Sequence, residues 1–168
     1  MYQTSATLNL HSLVRALVES VLVDSKPYIL IVDDFPDGRE MLAEYLAFRG
    51  MTAVTSCDGE EALKVARERP PAVVLMDLTM PGMDGWEATR QLKADPITRD
   101  AIVIALTAHA LAPDEGTARQ AGCDGFIAKP YDLEALGNAL ERLLSAGRPA
   151  LKTLTMVFRP TSSHTRRG

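Results

Sequence analysis

Short apolar runs alternate with segments of helical periodicity between residues 28 and 145. The residues from Tyr28 to Val32 are all apolar. Such an uninterrupted run is typical of a strand that is buried on both faces of a sheet. Further short segments predict four more strands, at 52–55, 73–76, 101–106 and 125–128.

Each predicted strand is followed by a segment that carries helix signals. The first helix begins at Pro36 and stops at Gly50. Its apolar residues recur at helical spacing: Met41, Leu42, Tyr45 and Leu46. Asp58 and Glu61 have the spacing of a capping box at the start of the second helix. Together these signals predict helices at 36–48, 59–69, 85–94, 113–121 and 133–144.

Five strand–helix units in succession favour a parallel sheet that is covered by helices on both faces. Five units also fit the flavodoxin-like doubly wound arrangement, which is an α/β fold. A chain of 168 residues has room for one such domain with a short tail at each end. We therefore expect a single domain over residues 27–146.

The two ends of the chain depart from this pattern. Within the N-terminal extension, residues 1–26, a stripe at helical spacing predicts an amphipathic helix over 7–23: Leu10, Leu13, Val14, Leu17, Val18, Val21 and Leu22. The alternative is a disordered leader, because an isolated helix of this length is marginal. Residues 147–168 contain five basic and no acidic residues and predict a disordered tail. The alternative for this tail is that it lies on the acidic domain.

The charge of the predicted domain argues against a nucleic-acid surface. Residues 27–145 hold 11 basic and 20 acidic residues, which gives a net charge of −9. Contacts with phosphates need clustered cations instead. We therefore expect no direct binding of nucleic acid.

The sequence also predicts a cytoplasmic protein that does not enter a membrane. The most apolar stretch, 8–23, is interrupted by His11, Arg15 and Glu19, and no basic residue precedes Arg15 as a secretory signal requires. The two cysteines, at 57 and 123, form no CxxC motif. They predict small buried thiols in a reducing compartment.

Polar side chains collect where the predicted strands end. Asp33 and Asp34 follow strand one, Asp77 follows strand three, Thr107 follows strand four and Lys129 follows strand five. In doubly wound sheets, ligands bind beyond the carboxyl ends of the strands. Oxygen ligands without His or Cys select a hard cation such as Mg²⁺. A lysine and a hydroxyl group are suited to hold phosphoryl oxygens, and a carboxylate can form an acyl phosphate.

Each of these residues also has a purely structural interpretation. An Asp after a strand is commonly a turn or capping residue, a Lys before Pro commonly faces solvent, and Thr107 would cap the following segment. Their joint occurrence at successive strand ends is what favours a functional site. Asp77 is the best placed nucleophile, since it precedes a loop with two glycines and a proline at 81–85.

Residues 28–145 resemble the receiver domain of bacterial response regulators, of which the chemotaxis regulator is the best-known example. The matching stretches, about 118 residues in their proper order, are ILIVDDFPDGREML, VVLMDLTMPGMDGWE, IVIALTA and AGCDGFIAKPYDLEAL. The resemblance implies a signalling protein that accepts a phosphoryl group, rather than an enzyme with a separate substrate. Such a protein assists its own phosphorylation and its slow dephosphorylation.

The resemblance also implies roles for individual residues. Asp77 would be the phosphoacceptor, and Asp33, Asp34, Asp77 and the backbone carbonyl of Thr79 would hold Mg²⁺. Thr107 and Lys129 would contact phosphoryl oxygens, and the bond between Lys129 and Pro130 would be cis.

The resemblance further implies a conformational switch made by Thr107 and an aromatic residue on strand five, which here is Phe126. The alternative for Phe126 is an ordinary core position. In the family, the positions that correspond to Thr79 and His109 tune the lifetime of the acyl phosphate. His109 would orient the hydrolytic water or simply lie exposed at the rim.

The resemblance implies that a sensor histidine kinase or a phosphotransfer protein supplies the phosphoryl group. Only 24 residues follow Leu144, too few for a helix-turn-helix domain, so we expect output by contact with a partner protein. A homodimer would use residues 113–145 or the N-terminal helix. The competing hypotheses are a constitutive interaction module, which predicts loss of acidic residues, and an aspartyl phosphohydrolase, which typically begins with DxD rather than with adjacent aspartates. The absence of GxGxxG and P-loop motifs disfavours nucleotide enzymes.

Overall fold

The computed structural model describes residues 26–108 and 121–151 of the chain. In chain order the elements are β1 (Tyr28–Val32), α1 (Pro36–Phe48), β2 (Thr52–Ser56), α2 (Gly59–Glu68), β3 (Val73–Asp77), α3 (Gly85–Ala94), β4 (Ile102–Thr107), β5 (Gly125–Ala128), α4 (Leu133–Ala146) and a 3₁₀ turn (Arg148–Ala150). The strands and the four described α-helices begin and end within two residues of their predicted bounds.

The five strands form one parallel sheet in the order β2-β1-β3-β4-β5. This is the flavodoxin-like order, so the predicted fold class is confirmed. The predicted helix at 113–121 falls almost wholly outside the described residues. The predicted helix at 7–23 lies outside them as well.

Side chains of each central strand alternate between the two faces of the sheet. On β1, Ile29 and Ile31 contribute to the cluster under α1 and α4, whereas Leu30 and Val32 contribute to the cluster under α2 and α3. Because both faces are covered, every residue of β1, β3 and β4 is buried. This explains why these strands appear in the sequence as uninterrupted apolar runs. On α1, Leu42 and Leu46 are buried, whereas Met41 is about half exposed at 53%.

Three of the helices are capped by an aspartate whose carboxylate accepts a backbone N–H. Asp58, Asp84 and Asp132 cap α2, α3 and α4 with N···O distances of 2.8, 2.8 and 2.6 Å. The predicted capping box at α2 is only half formed, because Glu61 accepts from the backbone N–H of Cys57 and not from that of Asp58.

The two cysteines are less buried than predicted. Cys57 is exposed in the loop between β2 and α2, and Cys123 is partly buried. The prediction of two buried thiols was therefore wrong.

The packed domain extends beyond its predicted end at residue 146. Gly147 ends α4 with a positive φ of 63°, a backbone conformation that glycine adopts readily. The chain then turns back, so that Ala150 is buried in the core and Arg148 forms an ion pair with Asp124. Residues 147–151 therefore belong to the domain and not to the predicted tail. The remainder of that tail, 152–168, lies outside the described residues.

No helix among the described residues is long and apolar enough to cross a membrane.

Candidate functional site

The parallel sheet brings the predicted polar residues to one edge. Asp33 and Asp34 directly follow β1, Asp77 and Thr107 are the last residues of β3 and β4, and Lys129 directly follows β5. Since β1, β3, β4 and β5 are consecutive neighbours in the sheet, their carboxyl ends lie side by side. Residues that are up to 96 positions apart in sequence thus come into contact.

Lys129 connects two of the carboxylates. Its Nζ atom lies 2.7 Å from Oδ2 of Asp33 and 2.6 Å from Oδ2 of Asp77. Its backbone N–H donates to the carbonyl of Thr107 at 2.7 Å, and the peptide bond to Pro130 is cis as expected. Burial lowers the pKa of Lys129, but the hydrogen bonds and charges of Asp33 and Asp77 outweigh burial and raise that pKa. The ammonium group therefore stays charged.

Three carboxylates surround a small volume at this edge. One oxygen each from Asp33, Asp34 and Asp77 lies within 4.8 Å of the other two. Asp33 and Asp77 are buried, while Asp34 is exposed to solvent. Three carboxylates against the ammonium group of Lys129 and the guanidinium of Arg39 leave an excess of negative charge, which favours binding of a cation. The oxygen-only donor set fits Mg²⁺.

Asp33 is held by hydrogen bonds on all of its polar groups. Its Oδ1 accepts from the backbone N–H of Phe35 at 2.9 Å, and its own N–H donates to the carbonyl of Ser56 at 3.2 Å. Its backbone carbonyl accepts from the guanidinium of Arg39 at 2.5 Å. These bonds fix the turn between β1 and α1, and with it the place of Asp34.

Asp77 is positioned by a turn and by an unusually close helix. Its Oδ1 accepts from the backbone N–H of Thr79 at 2.9 Å, and the side chain of Thr79 is exposed. The first residue of α3, Gly85, packs so closely that a Cβ atom there would clash with the carbonyl oxygen of Asp77 and lie 2.8 Å from Cα of Leu78. A glycine is required at this position because only hydrogen fits.

Tyr131 is a neighbour of the site that the sequence did not indicate. It is partly buried two residues after Lys129. Burial raises the pKa of its phenol, the charge of Lys129 lowers it, and the charges of Asp33 and Asp77 raise it. An aromatic residue after a Lys-Pro pair carries no sequence signal of its own, because only the fold places it near the carboxylates.

The sequence profile of the response regulator receiver domain matches residues 29–141. The chain belongs to this family. Receiver domains are phosphoacceptor signalling proteins that interact with sensor histidine kinases and with downstream targets. The matched stretch includes all of the residues that form the carboxylate cluster and Lys129.

Several known receiver domains are similar to this one. The polar-differentiation response regulator DivK of Brucella anthropi is 37% identical over 105 residues, which cover 62% of this chain and 85% of DivK. The receiver domain of sensor histidine kinase PA1611 from Pseudomonas aeruginosa, solved with a magnesium ion in its active site cleft, is 32% identical with a TM-score of 0.66, covering 73% of this chain and 100% of that one. The response regulator TrrA of Thermotoga maritima, solved in complex with Mg²⁺-BeF, is 32% identical with a TM-score of 0.62, covering 70% and 98%.

The two predicted switch residues of the receiver domain occupy neighbouring strands. Thr107 is buried at the end of β4. Phe126 pairs with Ala105 in the register of β4 and β5, and it is partly exposed and absent from both core clusters. Its two interpretations, a switch residue and an ordinary core position, both stay predictions. His109 lies outside the described residues, so its two predicted roles both stay predictions.

Proposed function

We propose that this receiver domain accepts one phosphoryl group on Asp77 in a magnesium-dependent step and signals through phosphorylation-dependent contact with a partner protein. The observation that carries the proposal is the position of Lys129, whose ammonium group bridges Asp33 and Asp77 beside a cluster of three carboxylates. Such a cluster combines a nucleophile, a fixed cation and a set of oxygen ligands in one place.

The carboxylate of Asp77 acts as the nucleophile. One of its oxygens attacks the phosphorus of a phosphohistidine, so that a new P–O bond forms while the P–N bond to the donor imidazole breaks. The donor histidine leaves as a neutral imidazole after it takes up a proton. The hydrogen bond from Thr79 holds Oδ1 of Asp77 and Lys129 holds Oδ2, so the carboxylate is oriented before the donor arrives.

Lys129 and Thr107 stabilise the transferred group. The lysine is free to exchange its contact with Asp77 for a phosphoryl oxygen, since it keeps its second contact, to Asp33. The buried Thr107 lies on the strand between those of Asp77 and Lys129, where its hydroxyl is suited to donate to another phosphoryl oxygen. In our proposal, the switch is a movement of Thr107 toward the phosphoryl group, which is followed by an inward movement of Phe126.

Asp33, Asp34 and Asp77, with the carbonyl of Thr79, would hold the magnesium ion. When bound, Mg²⁺ neutralises the carboxylates and the negative charge of the phosphoryl oxygens. In this proposal a sensor histidine kinase or a phosphotransfer protein donates the phosphoryl group, and the phosphorylated domain contacts a downstream protein in the cytoplasm. A homodimer would use residues 113–145 or the N-terminal helix. A constitutive interaction module is the weaker candidate, because no acidic ligand or acceptor is replaced in this chain.

Incubation with acetyl phosphate and Mg²⁺ tests the proposal directly. We expect intact-mass measurement to show the addition of one phosphoryl group to the protein, and we expect EDTA to prevent it. A protein that stays unmodified at saturating Mg²⁺, although folded by circular dichroism, would favour the constitutive module instead.

Asp34→Ala is expected to weaken Mg²⁺ binding at least about tenfold. Removal of a group that supports the ligands of a bound metal already costs about this much in affinity. Asp34 is exposed, so its loss should leave the melting temperature in EDTA unchanged. The readout is the fluorescence of Trp86, the only tryptophan in the chain. Trp86 directly follows Gly85, which packs closely against Asp77. Asp37→Ala, an exposed acidic residue in the first turn of α1, is the matched control and should bind Mg²⁺ like the wild type. Equal affinity of Asp34→Ala and wild type would remove Asp34 from the metal site.

A further inference from the structure

Arg39 makes an uncommon contact for an arginine near an acidic cluster. Its guanidinium donates to the backbone carbonyl of Asp33 at 2.5 Å, six residues earlier in the chain. None of the ion pairs within the described ranges includes Arg39. The arginine therefore bonds to the main chain of the cluster rather than to one of its carboxylates.

The contact closes the turn that carries the acidic pair. Asp33 and Asp34 lie between the last residue of β1 and Pro36, the first residue of α1. Arg39 is in the first turn of α1, where its own N–H bonds to the carbonyl of Phe35 at 3.1 Å. Its side chain reaches back past the start of the helix to Asp33. The backbone carbonyl of Asp33 thus gains the partner that a buried polar group requires.

The side chain of Asp34 depends on this turn for its position. Asp33 is fixed on several sides, by Lys129, by Phe35 and by Ser56. Asp34 is exposed, and its place within the carboxylate cluster follows from the path of the backbone on either side of it. The bond from Arg39 restrains that path at the peptide group between Asp33 and Asp34.

We propose that Arg39 is a positioning residue for the metal site, which holds the turn between β1 and α1 so that Asp33 and Asp34 point at one cation. This inference rests on the magnesium site of the proposed function. It assigns a role to a residue whose side chain bonds to the main chain of the turn and not to a carboxylate.

Charge and position make opposite predictions for removal of Arg39. A guanidinium beside three carboxylates repels a second cation, so if Arg39 acted only through its charge, a neutral replacement would raise the affinity for Mg²⁺. If Arg39 acts by holding the turn, the same replacement lowers that affinity, because the ligands lose their arrangement. The sign of the change therefore distinguishes the two effects.

The experiment measures Mg²⁺ affinity of full-length Arg39→Met, Arg39→Lys and Arg49→Met by calorimetry and by the rise in melting temperature on adding MgCl₂. Arg49→Met is the matched control, because Arg49 lies just after α1. It connects α1 to α4 by a hydrogen bond to Asn138 and an ion pair with Glu141. We expect Arg39→Met to bind Mg²⁺ about tenfold more weakly than the wild type. Arg39→Lys keeps the positive charge and one donor group, so its Mg²⁺ affinity should lie between those of Arg39→Met and the wild type. Arg49→Met should lose thermal stability but keep its Mg²⁺ affinity.

Labelling with acetyl phosphate separates positioning from catalysis. Because no hydrogen bond or ion pair within the described ranges joins Arg39 to Asp77, the labelling rate of Arg39→Met at saturating Mg²⁺ should return to the wild-type rate. Only the Mg²⁺ concentration for half-maximal labelling should rise. Affinity in Arg39→Met equal to or higher than that of the wild type would overturn the inference and leave the proposed function intact. A wild type that binds no Mg²⁺ would overturn both. If Arg39→Met does not fold, wild-type affinity in Arg39→Lys overturns the inference, and weaker binding there supports it.

Discussion

Asp77→Asn is expected to abolish labelling by acetyl phosphate and Mg²⁺. The amide has no anionic oxygen to attack phosphorus, so no acyl phosphate can form. The substitution also disturbs the local hydrogen bonds. In the wild type the two carboxylate oxygens of Asp77 accept from Thr79 N–H and from Lys129 Nζ, whereas an amide offers one oxygen for these two donors. The readout is the intact mass after incubation.

A neighbouring aspartate provides the control for Asp77→Asn. Asp84 lies in the same loop and caps α3, and asparagine caps a helix about as well as aspartate does. Asp84→Asn should therefore be labelled at the wild-type rate and melt near the wild-type temperature. Labelling of Asp77→Asn to the level of Asp84→Asn would mean that the phosphoryl group is carried elsewhere in the chain.

Gly85→Ala is expected to give the largest loss of stability among single methyl additions to the site. The new Cβ atom would clash with main-chain atoms, the carbonyl oxygen of Asp77 and Cα of Leu78, and not with the end of a flexible side chain. The start of α3 must therefore move away from the end of β3. Overpacking of this kind costs about 3 kcal/mol in the free energy of unfolding, or roughly 10 °C in melting temperature.

Gly38→Ala is the matched control for Gly85→Ala, since Gly38 also lies in the first turn of a helix. Its added Cβ atom would meet only the ring of Phe35, at 3.1 Å, and that ring is exposed. Alanine favours the helix over glycine, so the free energy of unfolding should change by less than about 1 kcal/mol. Chemical denaturation of both variants measures the difference. Equal midpoints would show that the approach of α3 to Asp77 is not tightly packed.

Loss of stability in Gly85→Ala should be accompanied by loss of function. The clash involves the backbone of Asp77 itself, so the carboxylate moves with its carbonyl group. We expect slower labelling at temperatures where the variant is still folded. A variant that is destabilised yet labelled at the wild-type rate would indicate that the helix, and not β3, absorbs the displacement.

Within residues 26–108 and 121–151, the local signals in the sequence were sufficient to predict the secondary structure. The apolar run at Tyr28–Val32 and the helix start at Pro36 both appear in the structure where the pattern predicts them. Such signals depend on a few neighbouring residues, whose spacing directly reflects burial and backbone geometry. The predicted fold class followed from the succession of units, because a parallel sheet needs a crossover between consecutive strands.

The composition of the site was also accessible from sequence, although its contacts were not. Asp33, Asp34, Asp77 and Lys129 could be named because residues after parallel strands share one edge of the sheet. That Lys129 bridges Asp33 and Asp77 depends on distances between strands that only the folded sheet determines. The role of Tyr131 as a neighbour of the site was missed for the same reason.

The sequence alone determined the order of strands and helices along the chain, the α/β class and the set of charged residues at the strand ends. Each of these is encoded in short-range spacing. Tertiary structure decided the rest. The glycine at position 85, the bond from Arg39 to the main chain of Asp33 and the packing of Arg148 and Ala150 all arise where separate elements meet. Contacts of this kind depend on how closely two elements approach, and no pattern within either element records that distance.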